Sequence, residues 1–166
     1  MGSLLDGGAR EVTGERCGGC GRGVAGGTQG CQARYEALLA RDYEDSAFFA
    51  VHRMFVDTYS LQHPERYCRS AKSLAAHLVG LGLILEEGIS AASGAPALRA
   101  WLDGNRELEK PPLPERRGEI TLGDVESIAD PGPWREAVRG WAVSTWQAYA
   151  ELHALARRWA AEAGAG

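Results

Sequence analysis

The chain has 166 residues, 45% of them apolar and 24% charged, and a formal net charge of -4. This length holds one domain with a core of its own and no need of disulfides, while the acidic balance and scattered basic residues argue against a DNA- or RNA-binding protein. The longest apolar run, Leu74 to Leu85, is shorter than the about 20 residues that cross a bilayer. The opening MGSLLDGGAR has neither the basic leader nor the apolar stretch of a signal peptide, and Asp6 stands where a myristoylation signal needs Ser or Thr. A cytoplasmic protein with no membrane or nucleic-acid partner is expected.

Residues 1–16 read as a flexible N-terminus, and 17–166 as a single helical domain that includes a zinc-binding knuckle, 17–31. Half of the 22 glycines lie before Cys31, with pairs at 7–8, 18–19 and 26–27; little apolar periodicity accompanies them, so metal ligation is the means of ordering this stretch. Cys17-Gly-Gly-Cys20-Gly21 is followed by Cys31. In a reducing compartment a Cys-x2-Cys pair signals metal or redox chemistry before it signals a structural disulfide. A thioredoxin-type motif needs a strand before the pair and a helix after it, and here the surroundings are glycine-rich. Structural zinc takes four Cys or His ligands in a tetrahedron, so three cysteines ask for a fourth partner.

A first helix fits Cys31 to about Tyr43. Asp45-Ser46 caps a second, which runs to Gln62 before the His63-Pro64 break. At about 100° per residue this helix gathers Phe48, Phe49, Phe55, Val56 and Tyr59 with His52 and His63 on one face, and places Arg53 and Asp57 on the solvent side. Helices joined by short loops run antiparallel, which returns His63 to the level of Cys31; His52 lies roughly 16 Å away along the axis. The expected ligands are therefore Cys17, Cys20, Cys31 and His63 around a structural zinc ion, with Cys68, in the next loop at the same end, as the substitute for His63.

Ser70 caps a third helix whose stripe is Leu74, Leu78, Leu81, Ile84 and Leu85, with His77 at its edge, and Glu86-Glu87-Gly88 ends it. Residues 89–118 read as a surface excursion with a short helix at 97–102 and the connector Pro111-Pro112-Leu113-Pro114. Ile120 to Val125 suits a brief strand or extended segment. Asp130-Pro131 opens a long last helix to about Ala161, which carries four of the five tryptophans; Trp134, Val138, Trp141, Leu152 and Trp159 share a side. His52, His77 and His153 would make an open metal site if they met inside the bundle, although single histidines on apolar faces are more simply core residues with hydrogen-bond partners. Neither a phosphate loop nor a Gly-x-Ser-x-Gly elbow is present.

The run His52-x4-Asp57-x-Tyr59-x2-Gln62-His63-Pro64, preceded by Cys17-Gly-Gly-Cys20-Gly21 and Gly30-Cys31 and followed by Ser73-x3-His77-Leu78 and the Trp-rich last helix, resembles a family of bacterial proteins of unknown function. The likeness spans most of residues 17–160. It implies a shared architecture and metal site, and no mechanism. This chain departs from that pattern in its short loop, Gly21 to Gly30, where the resemblance implies a histidine-containing segment. The expected fold is mostly α, a bundle of about four main helices with the Gly-rich knuckle packed on one end. The expected function is a zinc-stabilised module that binds a small molecule or a protein partner; a metal-dependent hydrolase or transferase with an open His-ligated site is the alternative.

Overall fold

The protein, described here by a computed structural model over residues 14–166, is mostly helical. Most of the N-terminus expected to be flexible thus lies outside the described residues. α1 (Gly27–Glu44) starts earlier than Cys31, because Gly26 at φ +83° turns the chain directly into the helix. The expected single helix 45–62 is two: α2 (Ser46–Phe49), whose cap Asp45 accepts the Ala47 N–H at 2.8 Å, and α3 (His52–Gln62). Pro64 opens α4 (Pro64–Tyr67), and a reciprocal Ser70/Ser73 cap starts α5 (Ala71–Glu86).

α6 (Ala91–Asp103) begins well before residue 97, since Ser90 caps it and it tolerates Pro96 in its interior. In place of the strand or extended segment expected over Ile120 to Val125, Thr121 and Asp124 cap each other around α7 (Leu122–Val125). The long last helix is also two, α8 (Pro131–Ala148) and α9 (His153–Ala163), separated by a 3-10 turn at Ala150–Leu152. His153 caps this break by donating from Nε2 to the Trp146 carbonyl at 2.8 Å while stacking on the Trp146 ring.

α3 is the central element, packed between α5 and α8, and α5 packs in turn on α6 and α9. Every residue from Asp57 to Pro64 is buried. Phe55, Tyr59, Trp134, Trp141 and Tyr149 form the aromatic heart of the core, and the Tyr149 hydroxyl donates to the Leu61 carbonyl. Arg41 of α1 lies 3.9 Å over Phe48 and 4.2 Å over Trp134, pinning α1 and α2 to α8.

From Asp57 onward α3 is buried on every side, although Arg53 one turn earlier is partly exposed, and this overturns one sequence expectation. Asp57 is wholly buried. Its two oxygens take the Arg53 Nε at 2.7 Å and the His77 Nδ1 at 2.8 Å, so the carboxylate is lodged between α3 and α5 with both oxygens partnered. Phe49, expected inward, is 44% exposed.

Candidate metal centre

The knuckle is a tight hairpin-like turn. Arg16 and Gly23 form an antiparallel bridge, the Cys17 N–H donates to the Arg22 carbonyl, and the Gly21 N–H returns to the Cys17 carbonyl, each at 2.9 Å. Gly18 N–H donates to the Thr28 hydroxyl at 2.9 Å, tying the turn to the first turn of α1. Two glycines are required by close approach. A Cβ on Gly19 would sit 2.3 Å from His63 Cδ2, and one on Gly30 would sit 1.8 Å from the Ala25 carbonyl oxygen. The first lets the Cys-x2-Cys turn lie flat on the end of α3; the second lets the chain fold back from Cys20 to Cys31 within one short loop.

This brings Cys17, Cys20, Cys31 and His63 together, with one donor atom from each all within 4.8 Å of one another, close enough to bind a metal ion. The contacts are Cys17 Sγ to His63 Nε2 at 3.4 Å, Cys31 Sγ to the same nitrogen at 3.6 Å, and Cys20 Sγ to Cys31 Sγ at 3.9 Å. The last is far beyond the about 2.05 Å of a disulfide, and all four cysteines are free thiols. Cys17, Cys31 and His63 are buried, and Cys20 is half-buried.

His63 is prepared for this position by its neighbours. Its Nδ1 lies 2.7 Å from the Tyr59 carbonyl and must donate there, which leaves Nε2 as the lone-pair nitrogen facing the sulfurs. The ring stacks on Tyr59 at 3.8 Å between centroids, and Tyr59 stacks on Tyr35 at 3.7 Å. The Tyr59 hydroxyl donates to Cys31 Sγ at 3.7 Å. A hydrogen bond from the Cys20 thiol holds Cys31 well below the usual thiol range in spite of burial, with His63 and Tyr59 adding to the effect; the same contact with Cys31, together with burial, pushes Cys20 up. The low value at Cys31 favours its thiolate, and thiolate is the state that ligates.

The loop after α6 closes over this end of the bundle. Arg117 donates to the Gly19 carbonyl at 3.1 Å and to both oxygens of Glu65, and Arg22 pairs with Glu126 next to α7. Beneath them the fully buried Gln62 donates to the Arg117 and Ile120 carbonyls at 2.9 and 2.8 Å and accepts the Trp141 indole N–H at 3.0 Å. Arg117 carries no signal in the sequence, because the loop that presents it has no periodicity.

The other candidates lie elsewhere. Cys68 is buried with its thiol directed at the Ser60 carbonyl, and burial pushes it up to about 12; it is outside the cluster. His52 pairs through Nδ1 with the buried Asp42 at 3.1 Å, His77 with Asp57, and His153 with the Trp146 carbonyl. These three histidines do not meet: among the described residues the one group of three or more such side chains is the Cys17, Cys20, Cys31 and His63 cluster. No described helix is long and apolar enough to cross a membrane.

A family model described as a family of unknown function, DUF5946, matches residues 15–150, a span that contains the whole cluster and its supporting residues. No curated protein and no solved structure matches the chain.

Proposed function

The chain belongs to DUF5946, a family of unknown function, and we propose that it is a non-catalytic binding module braced by one structural zinc ion on Cys17, Cys20, Cys31 and His63. The supporting observation is metrical. Zinc–sulfur bonds of about 2.3 Å and zinc–nitrogen bonds of about 2.05 Å in a tetrahedron put sulfurs about 3.8 Å apart and sulfur and nitrogen about 3.6 Å apart. Here Cys20 and Cys31 Sγ are 3.9 Å apart, Cys17 and Cys31 Sγ lie 3.4 and 3.6 Å from His63 Nε2, and every other donor pair is within 4.8 Å. Three thiolates and one imidazole favour zinc among the common divalent ions. Such a donor set leaves no open coordination position, so the ion supplies bracing and not an activated water. Its bracing acts on residues 17–31, whose glycines otherwise cost more ordering entropy than their few apolar contacts offset.

In this reading the helical bundle carries the function, as a cytoplasmic receptor for a small molecule or a protein partner, consistent with the net charge of -4. The test is metal content per chain on purified protein, with thermal unfolding. Wild type and His52→Ala/His77→Ala should carry one equivalent of zinc, while Cys17→Ser/Cys20→Ser should carry none and melt lower. A wild type without stoichiometric zinc would end this reading.

A further inference from the structure

We propose that the groove between α5 and α6 is a binding site for an aliphatic carboxylate, with Arg53 as the group that takes its anion. The groove has a volume of about 730 Å³, within the about 300–1,000 Å³ of small-molecule sites. It exists because the facing surfaces are shaved down: Ala76 and Gly80 on α5 oppose Ala95 on α6. Pro96 adds to this, since it lacks the N–H that would bond the carbonyl four residues back and so loosens α6 at its middle. Leu83, Ile84 and Leu98 supply apolar wall.

Arg53 reaches this groove from α3 by crossing α5 at Gly80. A Cβ at that position would lie 2.9 Å from the Arg53 Nη2 and 2.7 Å from Asp57 Oδ2, so the glycine is the gap through which the guanidinium passes. The side chain is then fixed on its inner side: Nε donates to Asp57 and Nη2 to the Ala76 carbonyl at 3.0 Å. Nη1 has no hydrogen-bond partner among the described residues, and the side chain is 36% exposed. A guanidinium already immobilised, with donors left over and an apolar wall beside it, is complementary to a planar carboxylate on an apolar body. The other charged residues lining the groove are Arg99 and Asp103, one of each sign, and Asp57 balances Arg53 from behind, so the preference for an anion comes from the guanidinium donors that Asp57 and Ala76 leave free.

This site rests on the binding-module reading above and is independent of the metal. Isothermal titration of the full chain, with zinc content measured on the same sample, tests it with dodecanoate, dodecanol and dodecyltrimethylammonium. Dodecanoate is expected to bind one per chain, and the alcohol and the cation about 30-fold or more weaker, the discrimination a charge-assisted pair provides. Arg53→Met should lower dodecanoate affinity about 30-fold and leave the alcohol unchanged. Ala95→Phe, which fills the groove from α6 without touching the Asp57 contacts, should abolish binding of all three and decides the matter if Arg53→Met fails to fold. Equal binding of dodecanoate and dodecanol, no binding of dodecanoate, or dodecanoate binding that survives Ala95→Phe would overturn the site. Loss of these effects in zinc-loaded protein refutes the groove alone, while carboxylate binding without stoichiometric zinc refutes the metal centre alone.

Discussion

Replacement of His63 by alanine separates a ligand from a well-packed core residue. Two losses follow whether or not metal is present: the hydrogen bond from Nδ1 to the Tyr59 carbonyl at 2.7 Å, worth about 1 kcal/mol, and the stack on Tyr59 at 3.8 Å, worth about another 1 kcal/mol. A third loss appears only with zinc. Removing an outer-shell partner of a metal ligand lowers affinity about 10- to 100-fold, so removing a ligand should cost at least about 100-fold, or about 2.7 kcal/mol. Urea unfolding should therefore show a deficit of about 2 kcal/mol in excess chelator and about 5 kcal/mol with zinc in excess. The difference between the two deficits is the measure of ligation. Equal deficits in both media, or one equivalent of zinc retained at wild-type affinity, would refute the assignment of His63.

Gly19→Ala should lower zinc affinity about 10-fold and stability by about 1–3 kcal/mol, because its Cβ enters the space of His63 Cδ2; competition against a chromophoric chelator reads the first and urea unfolding the second. Gln62→Leu should cost about 2–4 kcal/mol by stranding the Trp141 indole N–H and the Arg117 and Ile120 carbonyls, and hydrogen exchange should rise first in residues 104–121; unchanged exchange there would count against the role given to Gln62. Asp42 supplies a pH signature. Burial raises its carboxyl above the ordinary 3.8 in spite of His52, so the folded state holds that proton more tightly, and the associated stability is complete below about 3.8 and is lost as pH rises through the raised value. Wild-type stability relative to Asp42→Asn should thus fall between about pH 4 and the raised pKa, and a difference that stays flat or grows over that range would contradict it.

Local signals in the chain account for a good part of the fold and for the meeting of Cys17, Cys20, Cys31 and His63. The Ser70 cap and the leucine spacing delimit α5 almost residue for residue, and the return of an antiparallel helix brings His63 to Cys31, as expected. A helical wheel misplaces Asp57 because it assumes one wet face along the whole helix, and α3 has none from Asp57 onward. The wheel also runs through Ala50–Val51, where the helix breaks and its phase resets. α6 reads too short because Pro96 and Gly94 weaken local helix propensity, which packing against α5 and α9 overrides. The split of the last helix at Tyr149 depends on a side chain that anchors to Leu61, a contact 88 residues distant that no local window contains. The open three-histidine site does not form for a similar reason, since each ring is claimed by a partner nearer than the other two.

The reach from Cys31 to His63, 32 residues apart in sequence, sets an order of events at the ribosome. Translation proceeds at about 5–20 residues per second, so the three cysteines leave the synthesis machinery about 2–6 s before the histidine follows. The ion pair between Arg22 and Glu126 and the clasp of Arg117 on Gly19 come later still. In the zinc-braced reading proposed above, the cysteines form an incomplete, solvent-accessible chelate throughout that interval, open to oxidation and to exchange with other thiol ligands. The part of the chain made first is thus among the last to reach its final form, and a shortage of metal should be felt most during synthesis, before the finished protein has closed over its cysteines.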